Sequence, residues 1–453
     1  ATKNPHFCGN FENLRRFLYE IFLDNLSIAN SKPSCQECVS FFNLLAVDPR
    51  GIEPRRIYCQ GRFRNHPEPT ANLLYHKILM NGSFQKQLLY DLFQAYYDAR
   101  KNKRNTVNAL AFEIDYEKNI FQLYNDLINK KYKIGQSICF ISQKPVKREV
   151  FAADFRDRIV HHLIYNYINP FFEKSFINDA YSCRKNKGTS YGIKRVNHFI
   201  RSCSENYKKD CYILKLDIKG YFMGIDKNIL YKKIERNIND DFILQLIKKI
   251  IFYDPTKKCI IKGRKENWFG LPKSKSLFFA GKDKGLPIGN LTSQLFGNVY
   301  LNNLDYFIKH NLKCKYYGRY VDDIVIVHNN RKYLKAIIPV IRNYLQNNLL
   351  LKLHPNKIYL QHFSKGVSFL GTVIKPYRIY IKNKTKGNFY KKIQQFNAVT
   401  NSKFLASINS YLGIMGNYNT FNLRKSIFEN CLGGGLKEKF IVSPNYRKII
   451  LKK

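Results

Sequence analysis

The chain has 453 residues, 45% of them apolar, which is enough for sizeable cores and excludes wholesale disorder. Against 33 Asp+Glu stand 77 Lys+Arg, a formal net charge of +44 that opposes compaction unless an anionic partner neutralises it. No apolar run approaches the ~18–20 residues of a membrane span, and the 32 Tyr and 34 Phe favour nucleic acid as that partner, because bases stack on aromatic faces while Lys and Arg hold phosphates.

In chain order, the opening ATKNPHFCGN has neither an initiator Met nor a charged-then-apolar signal pattern. The expectation is a fragment or processed chain working in the cytoplasm, with its 11 cysteines reduced. Cys35 and Cys38 are the one close pair. A four-thiolate zinc site with Cys8 and Cys59 is conceivable, but the spacings fit no tight pattern and isolated thiols are the better reading. Residues 1–83 have no long periodic segment and read as an appendage whose role is not legible.

From Phe84 the pattern sharpens. Leu89, Leu92, Phe93 and Tyr96 share one helical face, and Ile120, Leu123, Tyr124 and Leu127 mark a second amphipathic helix. Between Cys211 and Val327 short apolar runs alternate with helical ones, as in a mixed α/β layer. Leu405, Ile408, Leu412 and Met415 recur at helical spacing, with Ser402 placed as N-cap, so the region from about 376 onward reads as a basic helical module.

Acidic residues are scarce, so those in apolar settings are informative. Asp217 lies in YILKLDIKGYF (212–222), where apolar residues run at strand spacing. Asp322 and Asp323 lie in YYGRYVDDIVIV (316–327), which reads as two short strands meeting at a tight turn. Ionised carboxylates beside core strands are costly unless a cation or hydrogen bonds compensate. A hairpin presenting two carboxylates, with a third on a neighbouring strand, makes a hard-oxygen site suited to Mg²⁺. Two such ions about 3.5–4 Å apart can activate a 3′-hydroxyl and stabilise leaving pyrophosphate. A merely polar turn is the alternative, since Asp is common in turns; the Asp217 strand and the basic charge favour the site. His161 and His162 are adjacent on a helix and point in different directions, so they read as structural.

The motifs, taken together, resemble the reverse transcriptase family. YVDD (320–323) is similar to the catalytic hairpin of those enzymes, and LDIKGYF (216–222) to their first palm motif. GLPIGNLTSQLFGNVYLNNLD (285–305) resembles the loop-helix between them; LHPNK (353–357) and FLG (369–371) resemble the next two motifs of the palm. KREVFAADFRDRIVHH (147–162) and AYSCRKNKGTSYG (180–192) resemble fingers motifs, and all stand in the family order over roughly residues 84–420. IGNLTSQ (288–294) carries Ser-Gln where group II intron enzymes usually have Ser-Pro. The runs 270–294 and 407–427 resemble diversity-generating retroelement enzymes, which copy a template-repeat RNA into cDNA with errors opposite adenines.

The resemblance implies that Asp217, Asp322 and Asp323, with the Ile218 carbonyl, hold two Mg²⁺ ions, Mn²⁺ being possible. Phe222 would press on the nucleotide sugar and reject a 2′-hydroxyl. Lys147 and Arg148 would clamp the dNTP triphosphate and Arg184 would pack near the templating pair, with Arg156 and Arg158 as alternatives. Gly289 would allow close backbone approach to the nascent pair, Gln294 would reach nucleotide or template, and Ile288 would bear on fidelity. Lys357 would protonate departing pyrophosphate, and Phe369, Leu370 and Gly371 would grip the primer.

The implied fold is α+β, a right-hand polymerase. Residues 84–210 would be fingers, 211–375 palm with a fingers-side insertion at about 228–284, and 376–453 thumb. Its partners would be template RNA, the cDNA or primer strand, dNTP and a small basic accessory protein, with no membrane. Rival readings are a group II intron-like or phage-defence reverse transcriptase of ordinary fidelity, and a non-catalytic RNA-binding scaffold.

Overall fold

The computed structural model describes residues 69–101, 106–143, 146–398, 402–433 and 438–452. Cys8, Cys35, Cys38 and Cys59 lie outside the described residues. The chain divides into units at residues 1–75 and 76–453, and the second carries all of the described strands.

The first amphipathic pattern lies in a long helix, α1 (Pro69–Arg100), so position 84 falls inside continuous helix. Leu88, Leu92, Ala95, Tyr96 and Ala99 are buried on one face, as the 3.6-residue period requires. Two helices come after it, α2 (Val107–Ile114) and α3 (Tyr116–Ile128), the latter burying Ile120, Leu123 and Leu127. A small sheet comes next, in which β1 (Ser137–Ser142) pairs antiparallel with β2 (Arg148–Ala152). The helix α4 (Phe155–Ser175) starts where Asp154 accepts the N–H of Arg156 at 3.0 Å, an N-cap that satisfies one of the free donors of the first turn. Then comes α5 (Thr189–Cys203).

The centre is a four-stranded antiparallel sheet. Its strands are β3 (Tyr212–Asp217), β5 (Tyr316–Tyr320), β6 (Asp323–His328) and β7 (Tyr359–His362), in spatial order β5-β6-β3-β7. Both faces are covered, which explains why β3 and β6 are apolar almost throughout. Leu214, Leu216, Ile324 and Ile326 join one core with α4, α9 (Leu291–Tyr306) and α10 (Arg331–Leu349). Ile213, Val325 and Val327 join the other, with Val196 and Phe199 of α5 and Phe369 of β8 (Val367–Phe369). Truncating Ile324 to Ala would cost about 2–5 kcal/mol, because such a site collapses poorly.

Between β3 and α9 the chain forms α6 (Tyr221–Gly224), α7 (Lys227–Glu235) and α8 (Asp241–Phe252), then returns to the first sheet. There β4 (Cys259–Ile261) adds parallel to β1, giving the order β2-β1-β4. Segment 228–284 is thereby tied to β1 and β2. After β7, β8 pairs with β9 (Thr372–Lys375) and β9 with β10 (Arg378–Ile381). Beyond them α11 (Asn383–Ala398), α12 (Ser402–Met415) and α13 (Phe421–Cys431) share a separate core of Phe389, Ile393, Phe396, Ile408, Leu412, Met415 and Ile427. The periodicity around 405–415 therefore marks a real buried face, in a helix beginning at Ser402. Among the described residues no helix is long and apolar enough to cross a membrane.

Candidate active site

Strand register gathers the acidic residues. Asp217, the last residue of β3, sits directly opposite Asp323, the first residue of β6. Residues opposite each other in an antiparallel pair present side chains on the same face, so two positions 106 apart in sequence become neighbours. Tyr320 pairs with Asp323, leaving Val321 and Asp322 as a two-residue turn. Val321 has φ +55°, the left-handed region that a β-branched residue resists. The turn must therefore be held by its surroundings.

Arg319 supplies much of that hold. It is wholly buried, and its Nε and Nη2 donate to both oxygens of buried Asp305 at 2.7 and 2.6 Å. Its Nη1 donates to the Val321 carbonyl at 2.9 Å, and the Val321 N–H donates to Ser182 Oγ at 3.2 Å. Asn298 Nδ2 fixes the Ser182 carbonyl at 2.8 Å. Sequence reasoning did not assign Arg319 or Asp305 a role; an Arg inside an otherwise uncharged strand beside YVDD was the available signal.

Two lysines neutralise the flanking carboxylates. Lys357 Nζ lies 2.9 Å from Asp217 Oδ2, and Lys215 Nζ lies 2.9 Å from Asp323 Oδ1. The segment before Lys357 is laid along β3, because the N–H of His354 donates to the Asp217 carbonyl at 2.8 Å and buried Ile218 bridges Leu353. Asp322 is pushed up to about 6, first by burial and then by the charges of Asp217 and Asp323. Lys215 was not anticipated, although a Lys on the apolar face of β3 was a legible sign.

These hard oxygen donors fit a divalent cation, and the two ammonium groups stand where positive charge is wanted. Among the described residues no three His, Cys, Asp or Glu side chains already converge on one ion position. Asp217 and Asp323 are instead drawn onto their lysines.

The anticipated nucleotide contacts divide. Phe222 is half-buried against Tyr221, with ring centroids 5.2 Å apart, and is not a sealed core residue. It comes two residues after Gly220, whose φ of +58° and close approach to the Ser274 carbonyl (2.6 Å from an added Cβ) leave no room for a side chain. Arg148 is exposed on β2 and its charge reaches Tyr320. Lys147 donates to the Phe269 carbonyl, tying it to the segment after β4. Gln294 is exposed on the first turn of α9.

Three of the implied positions have protein partners of their own. Arg184 bonds Glu173 and the carbonyls of Ile177 and Ala180, with 6% of its side chain exposed, so its guanidinium shapes its own loop. Gly289 does make a close backbone approach, but to β2: an added Cβ would stand 2.6 Å from the Phe151 carbonyl, at φ +128°. The Ile288 carbonyl accepts the Phe151 N–H at 2.8 Å, so both residues dock their loop on β2. Phe369 is fully buried behind the sheet, and only Gly371 of 369–371 is exposed, in a turn where Leu370 and Gly371 have φ +45° and +86°. Of the alternatives, Arg156 binds Asp126, and Arg158 Nε donates to the Ala153 carbonyl.

Buried Glu149, also missed, accepts Trp268 Nε1 and Ser276 Oγ at 2.8 Å and the Leu277 N–H at 2.6 Å, which clamps segment 265–277 onto β2. His161 is structural as expected: its Nδ1 lies 2.7 Å from Thr292 Oγ1, and burial pulls it down to about 3.

The family model described as reverse transcriptase (RNA-dependent DNA polymerase) matches residues 145–374, just over half of the chain. The chain is 25% identical over 248 residues to Protein YkfC of Escherichia coli (strain K12), covering 48% of this chain and 60% of that one. It is 20% identical over 289 residues to the Putative COX1/OXI3 intron 2 protein of Saccharomyces cerevisiae, covering 50% and 31% respectively. To the Uncharacterized 91 kDa protein in cob intron of Schizosaccharomyces pombe it is 22% identical over 265 residues, covering 56% and 28%. It thus spans less than two thirds of the length of each. Among solved structures, apo telomerase from Candida tropicalis aligns at TM-score 0.38 and 14% identity over 58% of this chain and 59% of that one. Telomerase from Candida albicans with a TWJ fragment of telomeric RNA aligns at TM-score 0.40 and 10% identity over 71% and 59%. The α+β architecture, with its acidic hairpin on a central antiparallel sheet, is the right-hand polymerase fold, and the chain belongs to the reverse transcriptase family.

Proposed function

We propose that this protein is an RNA-directed DNA polymerase that copies an RNA template into cDNA. The observation that carries the reading is the pairing of Asp217 with Asp323 beside the Asp322 turn. In this reading Asp217, Asp322 and Asp323, with the Ile218 carbonyl, hold two Mg²⁺ ions, which supply activation of the primer hydroxyl and charge neutralisation at the phosphates. Phe222 screens the sugar, Arg148 and Lys147 meet the triphosphate, and Gln294 faces nucleotide or template. Lys357, paired with Asp217 at 2.9 Å, is near enough to hand a proton to departing pyrophosphate once substrate displaces that contact. Residues 84–210 act as fingers, 211–375 as palm and 376–453 as thumb. The basic surface grips the hybrid through its backbone and 2′-hydroxyls, so affinity falls steeply with salt.

We further propose that the enzyme works in a diversity-generating retroelement, with errors at template adenines and a small basic accessory protein. The runs 270–294 and 407–427 support this. The names of two relatives support a second reading, an intron-type enzyme of ordinary fidelity. Primer extension with wild type and Asp322→Asn, beside filter binding of template RNA, tests the first proposal: Asp322→Asn should bind RNA and lose at least about 100-fold in extension rate. Full extension by Asp322→Asn overturns it, and RNA binding without extension by wild type makes the protein a scaffold. Sequencing cDNA from a mixed-base template separates the subgroups, because uniform accuracy removes the retroelement reading.

A further inference from the structure

A trench of about 850 Å³ opens at the C-terminal end of α5, between the loop after that helix, the β9–β10 turn and the α12–α13 connection. Its lining holds two arginines, three tyrosines and four asparagines, and no carboxylate. It shares no residue with the aspartate site. The β10 strand measures the separation: its far end leads to Lys382, which feels the charges of Lys215 and Asp323, while the trench lies at its near end, at Arg378. Four residues of strand at ~3.4 Å each put the two on the order of 13 Å apart.

The backbone around the trench is strained in a way that presents rings. Glu205, Asn206 and Tyr207 are consecutive left-handed residues, with φ +48°, +58° and +71°. Across from them Lys375 pairs with Arg378, so Pro376 and Tyr377 form the two-residue turn of β9–β10. Tyr377 has φ +59°, at a turn position where Gly or Asn is the usual occupant. This costly conformation leaves Tyr377 84% exposed, its ring edge-on to Tyr207 at 4.6 Å. Tyr207 is anchored by stacking on Phe363, with ring centroids 5.8 Å apart, whereas the exposed ring of Tyr377 is held out at its edge, and left-handed backbone of this kind often accompanies functional surfaces.

The chemistry selects the occupant. The exposed ring of Tyr377, with half-buried Tyr207 and Tyr418 in the same lining and Arg201 and Arg378 beside them, suits unpaired bases and their phosphates. Side-chain amides such as Asn197 and Asn419 offer donors and acceptors to base edges and 2′-hydroxyls. The volume is that of a small-ligand site, room for a few unpaired nucleotides and not for a helix. We infer that this trench is a second RNA site, which anchors a single-stranded segment of RNA outside the copying cleft. The choice of RNA over DNA rests on the template proposed above; the trench itself does not.

The test uses the full chain with its cleft saturated by a primer–template hybrid and a short fluorescent oligouridine as probe. Wild type should still bind the probe. Tyr377→Asn combined with Arg378→Gln should weaken that binding by about tenfold or more, since Asn suits the left-handed turn while removing the ring. Extension of the short hybrid should be unchanged in the variant, and 4-thiouridine cross-links should map to the peptides holding Tyr207 and Tyr377. No probe binding beyond the cleft, equal binding by wild type and variant, or cross-links confined elsewhere would each overturn the inference. Equal affinity for the matching oligodeoxyuridine would overturn the assignment to RNA. Loss of extension by wild type would count against the polymerase reading and leave these binding results standing.

Discussion

Arg319 donates to the Val321 carbonyl at 2.9 Å while its other nitrogens grip buried Asp305, so an ion pair inside the core is wired to the turn that presents Asp322. Removing Asp305 as Asp305→Ala leaves a guanidinium buried without its counter-charge, at a cost of about 3–5 kcal/mol. Urea denaturation should show that loss. Arg319→Lys keeps the charge but not the planar fork, so turnover should stay at least about tenfold down even where the melting curve recovers. Wild-type turnover by Arg319→Lys would show that the turn needs no such support.

Metal dependence should follow the proton on Asp322. Burial, then the charges of Asp217 and Asp323, raise that carboxyl to about 6, so below this pH an entering cation must expel a proton. The Mg²⁺ concentration for half-maximal extension should climb by about tenfold per unit as pH falls below about 6, and level off above about 7. For metal-free stability the sign is opposite. A carboxyl raised on folding favours the folded state below its unfolded value near 4, and this contribution disappears as pH rises through about 6. A Mg²⁺ requirement that ignores pH across this window contradicts the assignment.

Sugar selection should rest on Phe222, which is half-buried against Tyr221. Phe222→Val opens room for a 2′-hydroxyl, and ribonucleotide use should rise by about 10–100-fold while deoxynucleotide use changes little. Competition between labelled dNTP and rNTP in primer extension measures the ratio. An unchanged ratio moves sugar selection elsewhere.

His161 gives a stability test away from the carboxylates. Burial holds its imidazole neutral with a value near 3, whereas the unfolded chain protonates near 6.5. A base depressed on folding contributes stability above about 6.5 that is lost progressively as pH falls toward 3. His161→Asn, which retains a polar atom for Thr292, should flatten the acid limb of a plot of unfolding free energy against pH. An unaltered slope would mean that other groups govern acid unfolding.

The aspartates were legible because ionised side chains at the ends of apolar strands have few structural explanations, and YVDD with LDIKGYF in family order named their company. Helical periods were equally legible, since the buried faces of α1, α3 and α12 are local repeats. The surroundings of single basic residues were not legible. Arg184 and Arg148 look alike in a sequence rich in cations, and only the fold spends one on Glu173 and leaves the other exposed. The close approach of Gly289 was anticipated, but the partner it approaches, the Phe151 carbonyl, belongs to another strand.

Composition and motif order by themselves determined that this chain is strongly basic and carries the motifs of the reverse transcriptase family, because charge surplus and motif order are properties of the chain read in one dimension. Register, burial and contact between distant segments are not. Tertiary structure alone decided that Asp217 faces Asp323, that Arg319 and Asp305 brace the turn between them, and that Tyr207 and Tyr377 meet across a trench. Each pairs residues far apart along the chain, brought together only when the sheet closes and its two cores pack.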